Sequence, residues 1–266
     1  MTALTLMAPI FVTICAWWFS TGLILLMVRA PSRYYVPLLI GLGVFAGLAF
    51  WGIIASAQNQ SYAAVYCGFL CTLLVWGWHE ASFLMGKITG PRPAPCPQGV
   101  RGVQRFMYAV ATFIYHEIAL FLTLIMIGIA TWGSSNQIAL WTFGILFLMR
   151  LSAKFNIFLG VPNLTDEFFP DHLAHLKSYL PKRAMNALMP ISIIACVMGG
   201  FWQWSFYQTL DPQSGSAIAL VIVMTLTALG LIEHIFMITK LPDALLWRWA
   251  APAPRDKPSQ HDSLKN

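Results

Sequence analysis

Seven long stretches of this chain are so poor in charge that they exclude a water-soluble fold. They run over Leu6–Val28, Val36–Ala57, Tyr62–Gly86, Val103–Trp132, Gln137–Leu159, Met185–Gln208 and Ser216–Ile238. Crossing the ~30 Å hydrocarbon layer of a bilayer takes about 20 helical residues, and each stretch reaches that length. The runs are continuously apolar and do not alternate, which favours helices over a barrel. Charged residues make up only 10% of the chain, against roughly 25% in soluble domains. The expected fold is therefore all-α: one polytopic transmembrane helix bundle over 1–249, with 250–266 as a disordered cytoplasmic tail rich in proline and polar residues. The fourth run is long enough to contain an interfacial turn.

The cations add orientation. With seven spans, all sixteen Lys and Arg residues fall in alternate connections, in the C-terminal tail, or at the span ends beside them. The opposite connections hold Gln58, Asn59, Gln60, Ser134, Ser135, Asn136 and Asp211, and no cation. Positive residues stay on the cytoplasmic side, so the N-terminus is expected outside and the C-terminus inside. The net charge of +6 is then a topology signal and does not call for a nucleic-acid partner, although the basic face suits anionic lipid headgroups. The five cysteines form no disulfide framework. Cys67 and Cys71, one helical turn apart, read as packing residues.

Two connections on the basic side have character. Residues 87–102, KITGPRPAPCPQGVRG, carry prolines at 91, 93, 95 and 97, so this segment is an extended, stiff strap. Residues 160–184, GVPNLTDEFFPDHLAHLKSYLPKRA, place Leu173, Leu176 and Leu180 on one face and His172, His175 and Tyr179 on another. That pattern predicts a short amphipathic helix at the cytoplasmic interface.

The chemistry concentrates in three dipeptides. WHEAS at 78–82, YHEIA at 115–119 and LIEH at 231–234 each bond a glutamate to a histidine inside a span. The chain has only four glutamates, and the fourth, Glu167, precedes His172 by five residues. An ionisable group near the centre of a span costs at least ~2.5–3.5 kcal/mol on insertion scales, so three such pairs need partners. Imidazoles and carboxylates are ligands for iron, manganese or zinc, and a set this large is able to hold one or two ions. The candidate metal ligands are His79, Glu80, His116, Glu117, Glu233 and His234, with Glu167, Asp171, His172 and His175 as a lid. Two other readings compete with a metal. Interhelical Glu–His hydrogen bonds fasten bundles without any ion, and histidines also serve as axial ligands to a tetrapyrrole, with Trp76, Trp78, Phe83, Tyr115 and Phe121 near the pairs. Arg150 and Lys154, one turn apart, are candidates for binding an anionic group such as a propionate or phosphate, or for pairing with the glutamates.

The succession WHE, TGPR-x-x-P-C-P, HE, then LWTFGILFLMRLSAKFNIFLGVPNLTDEFFPDHLAHLKSYL and LIEH resembles the PuhE family of photosynthetic complex assembly proteins. The resemblance runs from about Trp76 to Trp249. It implies a protein of the inner (intracytoplasmic) membrane of phototrophic purple bacteria, in which the segregation of cations gives the N-terminus as periplasmic and the C-terminus as cytoplasmic. It also implies an accessory role in assembling the reaction centre or making bacteriochlorophyll, with reaction-centre or pigment-biosynthesis proteins as partners and a lipid-soluble pigment or precursor as ligand. The family supplies no catalytic residue. If two irons bind, oxidation of a tetrapyrrole or another lipid-soluble substrate follows, and the chain is an enzyme. The second possibility is a non-catalytic bacteriochlorophyll or tetrapyrrole carrier. A proton-coupled carrier is the third possibility; neither repeat symmetry nor a polar outer half supports it.

Overall fold

The computed structural model describes residues 3–163, 170–239, 246–247 and 249–250. These form eight α-helices: α1 (Ala3–Val28), α2 (Tyr35–Ser56), α3 (Tyr62–Leu84), α4 (Gly102–Val110), α5 (Ile114–Ala130), α6 (Ile138–Leu159), α7 (Leu188–Tyr207) and α8 (Gly215–Ile238). Short 3₁₀ helices cover Ser32–Tyr34 and Asp171–Tyr179. No β-strand occurs among the described residues, where one isolated bridge joins Val161 to Lys182. Six of the helices are long and apolar enough to cross a membrane.

The fourth expected span is broken. Instead of one helix over 103–132, α4 and α5 meet at an elbow bent by 65°. With 17 residues at 1.5 Å each, α5 is about 26 Å long; counted as one broken span, α4 and α5 together would bring the crossings to seven. The cause of the break lies in the proline strap. Its Thr89 carbonyl accepts hydrogen bonds from the amides of Tyr115 and His116 at 3.0 and 3.2 Å. It thereby satisfies first-turn N–H groups that a helix cannot satisfy itself. The Arg92 amide donates to the Ala111 carbonyl at 3.1 Å. Gly90 fits here for want of a side chain, since a Cβ would stand 2.3 Å from that same carbonyl oxygen.

Helix α3 lies at the centre of the bundle. One apolar cluster joins its Val65, Phe69 and Leu73 to Ile138 of α6 and to Ile218, Ile222 and Leu226 of α8. A second joins Val75 to Ile53 of α2, Leu120 and Ile127 of α5, and Phe143 of α6. The connections sort into two ends, as the charge pattern implies. At the cation-free end, the Asn136 amide donates to the Ala57 carbonyl, the Gln58 side chain to Ser134 Oγ, and the Tyr62 hydroxyl to the Gln213 carbonyl. The described Lys and Arg residues lie in the connections of the opposite, basic end, or in the helix turns next to them.

The expected amphipathic helix after Pro170 is present, but as a 3₁₀ helix, and its faces differ from the expectation. At 3.0 residues per turn, residues three apart align, so the buried row is Leu173, Leu176 and Tyr179. Leu180 caps the helix and Tyr179 takes its place in the core. Leu173 and Leu176 pack on Phe83 at the end of α3 and on Phe113 at the elbow. The Tyr179 hydroxyl donates to the Ala94 carbonyl at 3.0 Å and accepts from Arg92 Nε at 3.1 Å, while Arg105 donates to the Tyr179 carbonyl. The Cys96 amide donates to Ser178 Oγ at 2.8 Å. Strap and 3₁₀ helix thus form one cover over the basic end. Tyr179→Phe removes both hydroxyl hydrogen bonds and should cost about 1–2 kcal/mol; thermal unfolding in detergent micelles checks the loss.

A second cover comes from the segment after α8. Trp247 Nε1 donates to the Trp18 carbonyl at 3.1 Å, and Trp18 Nε1 donates to the Leu246 carbonyl at 2.8 Å. The Trp249 ring fills the notch left by Gly22, where a Cβ would sit 2.1 Å from it. The remaining tail residues, 251–266, lie outside the described residues.

Candidate functional site

Between α1, α3, α4, α5, α6 and α8, in the half of the bundle nearest the basic end, lies a cavity of about 700 Å³. Its walls are apolar and aromatic, with Trp17, Trp76, Phe83, Phe106, Phe113 and Trp247 among them. The charged groups on it are Glu80, Glu117, Glu233, Arg150 and Lys154. The size falls within the ~300–1,000 Å³ of small-molecule sites, and an apolar lining with a few convergent polar groups is their usual form.

The glutamates of all three His–Glu dipeptides reach this cavity, because each lies about one turn from the basic end of its helix. Two of them are paired with the cations Arg150 and Lys154. Arg150 Nη2 is 2.7 Å from Glu80 Oε2, and Lys154 Nζ pairs with Glu117 Oε1. Two carboxylates from α3 and α5 are therefore neutralised by two cations one turn apart on α6. Lys154 also lies over the Phe83 and Phe113 rings, 5.4 and 5.2 Å from their centroids, in cation–π contact.

None of the three histidines lines the cavity. Successive residues on a helix project about 100° apart, so turning the glutamates inward turns their neighbours toward adjoining helices. His79 Nε2 is 2.9 Å from Thr123 Oγ1 on α5. That hydroxyl already donates to the Ala119 carbonyl, so the imidazole is the donor. His234 is fully buried, with Nδ1 donating to the Gly230 carbonyl at 2.7 Å and Nε2 2.8 Å from Ser152 Oγ. The Ser152 and Ser192 hydroxyls are hydrogen-bonded at 3.1 Å, and Asn156 Nδ2 donates to Ser192 Oγ at 2.9 Å. His234 is thus an interhelical fastener joining α8, α6 and α7. His116, also fully buried, packs against the Phe83 ring with centroids 4.8 Å apart and planes tilted by 36°, and its Nε2 is 3.8 Å from Glu80 Oε1. Neither nitrogen of His116 has a hydrogen-bond partner among the described residues, and neither do Glu80 Oε1, Glu117 Oε2 or Arg150 Nε.

The expected lid is only partly met. His172 Nε2 donates to the Leu84 carbonyl at 2.9 Å and closes the end of α3, while His175 Nδ1 is 3.2 Å from the His172 carbonyl. Asp171 lies at the exposed start of the 3₁₀ helix, and Glu167 lies outside the described residues. Among the described residues, no three His, Cys, Asp or Glu side chains come close enough to share a metal ion. The donor set fits a divalent ion poorly, because Arg150 and Lys154 each hold one oxygen of Glu80 and Glu117 and put two positive charges beside the place an ion would take. Of the aromatic residues expected near a macrocycle, Trp76 and Phe83 line the cavity. Tyr115 and Phe121 are on the outside of the bundle, and Trp78 Nε1 donates to the Leu39 carbonyl of α2.

Several contributors were not apparent from the sequence. Trp17 and Trp247 form one wall as an edge-on pair 5.4 Å apart, across a sequence separation that no local pattern marks. Ser152 and Asn156 did carry a signal: two polar residues four apart, on one face of a helix expected to lie in the membrane.

These features define a class, a polytopic helical bundle of membrane-spanning type enclosing a ligand-sized cavity with a charge-paired floor. The chain belongs to the DUF3623 family, described as proteins of unknown function, which it matches over residues 3–258. A protein of Rhodobacter capsulatus described as an uncharacterized 30.4 kDa protein in the puhA 5' region is 39% identical over 257 residues, covering 92% of this chain and 90% of that one. The resemblance to a puh-associated family thus holds over nearly the whole length. No solved structure matches the chain.

Proposed function

We propose that this protein is a membrane accessory factor of the bacterial photosynthetic apparatus, serving reaction-centre assembly or bacteriochlorophyll biosynthesis by holding a lipid-soluble pigment or precursor in its cavity. The observation that carries the reading is the cavity of about 700 Å³, aromatic-walled and floored by paired charges. The gene region named in the description of the Rhodobacter capsulatus relative supports the photosynthetic setting. Segregation of cations to one end supports a cytoplasmic C-terminus and a periplasmic N-terminus in the inner membrane, which puts the cavity in the cytoplasmic leaflet. The charge pairs favour a carrier over a di-metal oxidase, because Glu80 and Glu117 already have cationic partners.

The test is to purify the full chain from a phototrophic bacterium in mild detergent and to record bound metals and the visible spectrum together. A porphyrin or chlorin band without stoichiometric iron or manganese is the expected result. About two irons per chain with no macrocycle band would overturn the carrier reading and restore the oxidase. A preparation with neither would leave the charged groups as fasteners of the bundle.

A further inference from the structure

Resting on that reading of the cavity, we propose that its ligand carries a carboxylate, and that Arg150 is the group that binds it. The two cations on the floor are not equivalent. The Lys154 side chain is 16% exposed and held between Glu117 and two aromatic rings, whereas that of Arg150 is 38% exposed and stands on the cavity surface. Glu80 engages one terminal nitrogen of Arg150, and Arg150 Nε has no partner among the described residues. A guanidinium carries five donors in a planar fork that matches a carboxylate at two points, so Arg150 retains donors for an incoming anion.

Glu80 has somewhere to go when that anion arrives. Its Oε2 is on Arg150, while Oε1 lies 3.8 Å from His116 Nε2, on a ring with both nitrogens unpartnered among the described residues. A shift of about 1 Å brings Oε1 within hydrogen-bonding distance. Neutral His116 with its proton on Nε2 then donates to Glu80 as the ligand takes over Arg150. No proton is gained or lost. His116 acts here as a positioning residue, receiving the carboxylate that the ligand displaces. The body of the ligand lies among Trp17, Trp76, Phe106 and Trp247, surroundings that accept either a planar ring system or an acyl chain.

The experiment uses the full chain in lipid nanodiscs and reads saturable energy transfer from its tryptophans to pyrenebutyrate or to the methyl ester of pyrenebutyrate. The acid should bind roughly 10- to 150-fold more tightly than the ester, the range of a hydrogen bond to a charged group. Arg150→Gln should abolish that preference. Because this variant leaves Glu80 without its cation, the double variant Glu80→Gln with Arg150→Gln removes both charges and should lose the preference equally. His116→Phe keeps the ring and lacks the donor; it should narrow the acid-to-ester ratio while leaving ester binding unchanged. Competition with palmitate identifies the body: displacement points to an acyl chain, and failure to displace points to a ring, either upholding the carboxylate. Equal saturable binding of acid and ester by the unaltered chain would overturn the carboxylate anchor and leave the cavity reading standing. Absence of saturable binding by both probes would overturn the cavity reading as well.

Discussion

Lys154→Ala should lower the stability of the folded protein by about 3–5 kcal/mol, the usual result of deleting one member of a buried ion pair. The Lys154 and Glu117 side chains are 16% and 12% exposed, and the second oxygen of Glu117 has no partner among the described residues. Without Lys154, the carboxylate is left charged and uncompensated where water is scarce. Most of the loss therefore comes from stranding Glu117 rather than from forfeiting the attraction itself. A double variant separates the two contributions. Lys154→Met together with Glu117→Gln leaves no buried charge and should recover most of the stability. Thermal unfolding in detergent micelles is the measurement, and a single-variant loss below about 1 kcal/mol, the level of a solvated surface pair, would mean the pair is hydrated.

His234→Ala should cost about 2–4 kcal/mol, combining a cavity at a fully buried site with the loss of hydrogen bonds at both ring nitrogens. Its distinguishing feature is what does not change. Because the ring points into the α6–α7 contact, any chromophore or metal that purifies with the folded protein should remain at its original stoichiometry. A variant that folds with unaltered stability but loses its bound group would make His234 a ligand and reverse the assignment. Comparing Ser152→Ala, which leaves His234 Nε2 without its partner, should give a smaller loss of about 1–3 kcal/mol.

The gross architecture was legible because it follows from solvent. A run of apolar residues long enough to cross a bilayer announces itself, and the segregation of Lys and Arg fixes which connections share an end. The glutamates were legible as a set for the same reason: charge inside a span has few places to point. Side-chain direction was not legible. Placing Glu80, Glu117 and Glu233 on one cavity obliges His79, His116 and His234 to face other helices, and an adjacent pair does not reveal which member turns inward. The pairing of Arg150 and Lys154 with glutamates was one of several options on paper, and only distances choose among them. The length of the fourth span announced a turn but not its place at 111–113, because what fixes that place, the Thr89 carbonyl and the close approach of Gly90, lies on a distant strap. Likewise, the spacing of Leu173, Leu176 and Tyr179 decides between faces only once the helix is known to turn every three residues.

The loops of the cation-free end are knotted together through Asn136, Gln58 and Tyr62, binding the α2–α3, α5–α6 and α7–α8 turns into one plate. A bundle clasped there behaves like a pair of tweezers: its arms part most easily at the tips. Any widening of the pocket should therefore be greatest at the basic end, once the strap and the 3₁₀ helix let go, with the opposite end as the fulcrum.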